Sequence, residues 1–237
     1  MSRFKNYLKQ TIRAVAFVTL AWTLPAAAET VEVAPGVQVT KRTYTAPVNE
    51  QPFFGFTAKS AEQKAEDEKF VSAMIGATGS REKAFEEATK RAWIAIQGGK
   101  VREAALRFNQ AFLVSPEQSS VYHGFAIIAQ ARFSDFDAAD ELFKIALKQP
   151  NPVKALKADY GRLLLIAKRP RDAQEVLDQA VKEAPDFSDA WTNLAWARFQ
   201  NGDPAAACAA AEEAAKKRPS NNSISDLTAV RNAAQCK

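Results

Sequence analysis

Two adjacent stretches decide the fold: Lys154–Phe187, KALKADYGRLLLIAKRPRDAQEVLDQAVKEAPDF, and Ser188–Asn221, SDAWTNLAWARFQNGDPAAACAAAEEAAKKRPSN. Both span 34 residues, and small, bulky and turn-forming residues take the same places in each. A fixed period of this length indicates stacked structural units, none of which can bury its apolar face alone. The matching pairs are Tyr160 and Leu194, Gly161 and Ala195, Ala173 and Ala207, Leu177 and Ala211, Ala180 and Ala214, and Pro185 and Pro219.

The same layout extends towards the N-terminus and predicts four units, 85–118, 119–153, 154–187 and 188–221. Each unit has a small residue in its first helix, a small–bulky–small set in its second helix and a proline after it. In the second unit the spacing from the first-helix small residue to the second-helix alanine is one residue longer than in the others. We therefore expect one inserted residue in the turn 133–137. The first-helix small residues are Ala92, Ala126, Gly161 and Ala195, and the prolines are Pro116, Pro150, Pro185 and Pro219.

This layout predicts helical hairpins. The small residues let the two helices of a hairpin approach closely, and the bulky residues fill the gap to the next hairpin. Gly99 and Gly202 lie in the predicted turns, where a positive backbone angle suits glycine. Proline after each second helix prevents the helix from continuing.

Further helices are predicted at both ends of the array. Residues 59–84 predict an N-terminal helix and its connection, because Ser60 and Gln63 can form a capping box. Residues 222–237 predict a C-terminal helix that covers the last unit. Cys208 begins the second helix of that unit and Cys236 ends the C-terminal helix, so an antiparallel arrangement brings the two thiols together. We predict a disulfide between them.

Residues 29–58 predict an irregular N-terminal arm. Alternating valines around Pro35-Gly36 also allow a short hairpin. The cluster Phe53-Phe54-Gly55-Phe56 either is simply part of this irregular arm or docks onto the repeat surface or a partner, and the sequence leaves these alternatives open.

Residues 1–28 predict a secretory signal peptide. A basic start precedes the apolar run Ala14–Leu24, and Pro25-Ala26-Ala27-Ala28 offers the small residues that signal peptidase requires. We expect cleavage after Ala28, with an uncleaved tether as the alternative. Export to the bacterial periplasm would follow, and no membrane span is expected after cleavage.

The composition excludes several classes of function. Four of the 32 basic residues and none of the 27 acidic ones lie in residues 1–28, which leaves 28 basic against 27 acidic residues. A nearly neutral chain of this kind predicts no nucleic-acid partner. With one histidine, two cysteines and no metal-binding motif, the sequence predicts no metal, cofactor or catalytic residues.

The chain resembles the tetratricopeptide-repeat family over residues 85–221. The fourth unit carries most of the resemblance, and in the first two units Ala88 and Tyr122 replace the signature tryptophan. The resemblance implies an all-α, right-handed superhelix whose concave groove is lined by first helices and binds a protein or peptide. The residues at signature positions are Trp191, Leu194, Ala195, Gly202-Asp203, Ala207, Ala214 and Pro219.

Mapping the family's groove onto this chain implies a set of candidate partner-binding residues. Trp93 and Trp196 take equivalent places and either anchor a partner or pack against the next helix. A clamp for a terminal carboxylate is disfavoured, because few of its basic positions are basic here. The main candidates are Trp93, His123, Gln130, Arg162, Asn193 and Trp196, with Thr89, Ile127, Thr192 and Gln200 beside them.

The sequence therefore predicts an exported, non-catalytic scaffold that binds a protein or peptide in a cell-envelope assembly. Two alternatives remain: an exported hydrolase acting on cell-wall material, and a structural protein that forms homo-oligomers. The stretch Arg107–Phe112 with Gly124-Phe125 also resembles exported bacterial repeat proteins, and this resemblance implies no function.

Overall fold

The computed structural model describes residues 29–219 and 221–237, so the predicted signal peptide and Ser220 lie outside the described residues. Within them the order of elements is β1 (Thr30–Ala34), β2 (Val37–Thr40), two short 3-10 turns (Val48–Glu50 and Pro52–Phe56), α1 (Ala61–Thr78), α2 (Arg81–Gln97), α3 (Val101–Val114), α4 (Ser119–Phe133), α5 (Phe136–Ala146), α6 (Leu156–Ile166), α7 (Pro170–Glu183), α8 (Ser188–Gln200), α9 (Pro204–Lys216) and α10 (Asn221–Ala233).

Helices α2 to α9 form four consecutive hairpins, and each hairpin packs against the next. This confirms the predicted all-α helical-hairpin solenoid. The first-helix small residues are buried, with Ala92, Ala126 and Ala195 at 0% exposure. The tight packing explains why only small residues fit at these positions. At Gly161, an added Cβ would lie 2.4 Å from the Cγ atom of Leu177.

Among the described glycines the tightest surroundings are at Gly124, where an added Cβ would lie 2.3 Å from the Phe108 ring. Because Phe108 is fully buried, its ring cannot move aside freely. We expect Gly124→Ala to lower the free energy of unfolding by about 1–3 kcal/mol. Gly76 lies in α1 with nothing within 4 Å of its added Cβ, so Gly76→Ala should instead raise it by about 0.5–1 kcal/mol. Urea denaturation measures the free energy of unfolding of both variants. Changes of the same sign would contradict the tight packing at Gly124.

The extra residue of the second unit lies in the last turn of α4. There the Asp135 N–H donates to the Ala129 carbonyl, six residues back, whereas the corresponding bonds in the other hairpins reach five residues back. The predicted place, in the turn 133–137, is therefore corrected to the helix end before Ser134. Ser134 adopts φ 53°, and the predicted positive angles at Gly99 (φ 70°) and Gly202 (φ 85°) are confirmed. The five-residue bonds join Lys100 to Ala95, Arg169 to Leu164 and Asp203 to Arg198.

The C-terminal end of the array is closed by α10, which takes the place of a next first helix against α8 and α9. It spans Asn221–Ala233 and so begins one residue before the predicted segment 222–237. Its inner face buries Leu227, Val230 and Ala234. A disulfide joins Cys208 to Cys236, with the two Cα atoms 5.4 Å apart.

The N-terminal arm folds onto α3 and α5, the second helices of the first two units, and onto one side of α4. It contains an antiparallel hairpin, with Val31 opposite Val39, and β2 contacts α5. The two 3-10 turns contact α3, and the second also contacts α4. The arm therefore forms a layer outside the hairpins.

Candidate functional site

The first helices line the inner side of the array. Among the described residues α2 approaches α4, α6 approaches α8 and α8 approaches α10, whereas α3, α5, α7 and α9 do not contact one another to a comparable degree. An array curves towards the side on which successive helices are closest. The family's concave groove is expected along α2, α4, α6 and α8, although α4 and α6 do not approach each other to this degree.

One row of side chains follows the groove, each placed one residue after a first-helix small residue. It consists of Trp93, Ile127, Arg162 and Trp196. The two tryptophans and Ile127 are partly buried, and Arg162 is exposed. The Trp196 ring packs edge-to-face against Phe199, with 6.0 Å between centroids.

The structure does not leave His123, a candidate partner-binding residue, open to a partner. Its side chain is fully buried, with its ring 4.7 Å from Trp93 and 5.5 Å from Phe143 between centroids. Its Nε2 atom lies 2.9 Å from an Asp159 carboxylate oxygen on the next first helix. His123 thus joins α4 to α6 and offers little surface to a partner.

Asn193 is also buried, at 5% exposure, and so is not open to the groove. Its amide donates to the Ala158 carbonyl at 3.0 Å, which links α8 to α6. Trp93 similarly donates its indole N–H to the Ser120 hydroxyl at 3.1 Å, which links α2 to α4. A buried polar group needs a hydrogen-bond partner, and these groups find theirs on the neighbouring repeat.

Thr89 and Thr192 are buried as well and donate to carbonyls of their own helices. Arg162 pairs with Asp226 of α10 at 2.6 Å, although both side chains remain substantially exposed. An exposed ion pair of this kind contributes little stability. Arg162 therefore stays accessible from the groove, partly neutralised.

The open part of the groove is mostly apolar and amide in character. Gln130 is partly exposed and Gln200 is exposed. Ile166 was not among the predicted groove residues. It is 44% exposed and lies five residues after Gly161, as Gln200 lies five residues after Ala195. That spacing would have identified it. We name Ile127, Gln130, Ile166, Trp196 and Gln200, with Trp93 at the edge, the open groove.

A second site holds the N-terminal arm, and its main anchor is Phe53. This ring is only 6% exposed, and its centroid lies 4.7 Å from Phe125 and 5.4 Å from Phe112. The aromatic cluster thus docks onto the repeats, one of the alternatives that the sequence left open. We define the arm-docking surface as Arg102, Asn109, Phe112, Phe125 and Arg132.

Asn109 holds the backbone of the arm with three hydrogen bonds. Its amide donates to the carbonyls of Asn49 and Gln51 at 2.9 and 2.8 Å, and its oxygen accepts from the Phe54 N–H at 3.2 Å. Asn109 is 1% exposed, so these bonds are shielded from water. It lies in the stretch Arg107–Phe112 that resembles exported repeat proteins, but nothing in the sequence indicated that this stretch binds the arm.

Glu50 joins the arm to the repeats through two arginines. Arg102 donates to it at 2.8 Å, and Arg132 forms a second ion pair with it. The hydrogen bond from Arg102 holds the pKa of Glu50 below its usual value, and the charge of Arg132 acts in the same direction against the effect of desolvation.

The pKa of Glu50 predicts that acid releases the arm. A carboxyl whose pKa is lower in the folded chain than in the unfolded chain stabilises the fold above its unfolded value, about 4.3, and loses this contribution as the pH falls through its folded value. We expect the NMR signal of the Phe54 amide to shift below about pH 4 as the arm undocks. Glu50→Gln should remove this pH dependence, and an unchanged titration in that variant would contradict it.

The arm reverses direction through a left-handed turn. Phe53, Phe54, Gly55 and Phe56 all have positive φ, at 55°, 52°, 61° and 56°. A left-handed conformation costs roughly 1–2 kcal/mol for each residue other than glycine. The contacts of Phe53 and Asn109 must therefore offset this cost.

Among residues 29–219 and 221–237, no three His, Cys, Asp or Glu side chains are grouped as metal ligands. In the same part of the chain, no helix is both long enough and apolar enough to cross a membrane.

The family model of the tetratricopeptide repeat matches residues 159–222. These residues span nearly all of the third and fourth hairpins, in which the predicted small residues are buried. Over these residues the chain carries tetratricopeptide repeats. No curated protein matches its sequence.

Solved structures with a similar fold come from several proteins. PilF of Pseudomonas aeruginosa aligns at 20% identity with a TM-score of 0.55, covering 65% of this chain and 73% of that chain. PilW, a type IV pilus biogenesis factor, aligns at 16% identity and a TM-score of 0.52, covering 74% and 87%. A tetratricopeptide-repeat protein of Thermus thermophilus aligns at 16% identity and a TM-score of 0.52, covering 70% and 98%. At these identities the similarity concerns the fold.

Proposed function

We propose that this tetratricopeptide-repeat protein is a non-catalytic scaffold that binds a protein or peptide partner in its open groove. The observation that carries the proposal is the row of side chains along the first helices, which ends in the partly exposed Trp196, together with the exposed Ile166 at the end of α6. Partly exposed aromatic and aliphatic side chains on a rigid concave surface suit a partner with apolar anchors.

We further propose that the protein acts in the bacterial periplasm, in an assembly of the cell envelope. The signal-peptide pattern of residues 1–28 supports export, and the Cys208–Cys236 bridge suits an oxidising compartment. The similarity to PilW is in fold alone and assigns no pilus role to this chain.

Site-specific photo-crosslinking in cells tests the groove. A crosslinking residue at Ile166 or Trp196 should capture one defined protein, identified by mass spectrometry. Ile94 is the matched control, because it is 58% exposed but takes a position that is buried between repeats in the other units, as Ile128, Leu163 and Ala197. It therefore faces the N-terminal end of the array and not the groove.

The comparison between positions decides the outcome. Capture from Ile166 and Trp196 but not from Ile94 supports the groove, and Trp196→Ala should then weaken the interaction at least about tenfold, as expected of an interface anchor. The same products from all three positions, or none from the groove, would overturn the proposal.

A further inference from the structure

We propose that the arm-docking surface also accepts the arm of a second copy of this chain, so that two copies exchange arms and form a closed dimer. The proposal does not depend on the open groove or on its partner.

The arm is the ligand that fits this surface best, because its chemistry is matched at three points. Asn109 pairs with the backbone on both sides of Glu50, which fixes the register of the segment. The two arginines select a carboxylate, and the aromatic pocket takes Phe53. An arm from a second copy carries the same groups, and exchange therefore retains all of these contacts.

Only the connection between the arm and α1 has to change. In the closed monomer this connection contains the left-handed turn, with positive φ at Phe54, Gly55 and Phe56. When the arm reaches a second copy, these residues can extend, and the backbone strain is released. Short connections under strain favour exchange of this kind.

Two contacts are lost when the turn opens. Lys59 lies 3.5 Å from the centroid of the Phe54 ring, and the Phe53 and Phe56 rings are 5.3 Å apart. Both contacts lie within the turn, so they favour the closed monomer. The balance between them and the strain sets the concentration at which dimers form.

Two substitutions of the same glycine should shift this balance to different degrees. Gly55→Val makes the left-handed conformation much harder to adopt, and an added Cβ would also lie 3.0 Å from the Gln51 side chain. Gly55→Asn introduces the same Cβ but a residue that tolerates the left-handed conformation. In sedimentation velocity we expect Gly55→Val to raise the dimer association constant roughly tenfold or more, and Gly55→Asn to raise it less.

A complementation experiment identifies the surface and remains informative if a turn variant folds poorly. Phe53→Ala disables the arm, and Arg102→Glu with Asn109→Ala disables the surface, while circular dichroism verifies that both variants are folded. Neither variant should dimerise alone. A mixture should form a heterodimer, because the intact arm of one copy meets the intact surface of the other.

Three results would overturn the proposal. The wild-type chain could remain monomeric at millimolar concentration. Both turn variants could dimerise with the wild-type association constant, or each docking-defective variant could form homodimers alone. The last result would indicate association through another surface, such as the exposed Ile94 end. Capture of an unrelated acidic, Phe-containing peptide by the wild-type chain without any dimer would indicate a partner in place of a second copy.

Discussion

Phe53→Ala is expected to release the N-terminal arm while the four hairpins stay folded. Phe53 is nearly fully buried among Phe112, Tyr122 and Phe125, and removing such a ring from a packed site costs about 3–5 kcal/mol. The left-handed turn adds its own strain, so the remaining contacts cannot hold the arm on the repeats. Amide hydrogen exchange should show loss of protection in residues 44–58.

Val48→Ala is the matched control for this experiment. Val48 lies in the same arm but is 49% exposed, so its truncation should leave the exchange pattern unchanged. Equal effects of the two substitutions would show that the arm is not anchored through Phe53.

Replacing both cysteines by serine is expected to weaken the C-terminal end of the array by about 3–4 kcal/mol. The bridge closes a loop of 28 residues in sequence separation, and the estimate follows from the entropy that such a loop loses in the unfolded chain. Without the bridge, α10 is held mainly by Leu227, Val230 and Ala234. Loss of α10 would expose the apolar face of the fourth unit.

Guanidinium denaturation of the oxidised chain, the reduced chain and the double variant measures this contribution. The reduced chain and the variant should agree with each other and unfold at lower denaturant than the oxidised chain. Identical midpoints for all three would show that α10 is held by packing alone.

The sequence was sufficient for the hairpin array because its periodic residues do the packing. Ala92, Ala126, Gly161 and Ala195 are all buried where the period places them. The sequence correctly predicted one extra residue in the second unit, but it did not predict where that residue lies. Spacing alone cannot distinguish a longer helix from a longer turn. The Asp135–Ala129 hydrogen bond settles this point.

The candidate site was harder to predict, because a groove position does not determine exposure. His123 and Asn193 occupy groove positions, but each forms a hydrogen bond to the next repeat and is buried by it. The arm-docking surface was not predicted at all. Its residues come from α3, α4 and the arm, and no local pattern relates Asn109 to Asn49, 60 residues away.

The central claim is that the arm covers α3, α5 and one side of α4 and leaves the open groove uncovered. Hydroxyl-radical footprinting of the purified chain, with the sites of oxidation assigned by mass spectrometry, tests it most directly. We predict rapid oxidation at Ile166 and measurable oxidation at Trp196, with Phe53 and Phe125 protected. Oxidation of Phe53 as fast as that of Ile166, or protection of Ile166 and Trp196 as complete as that of Phe125, would contradict the claim.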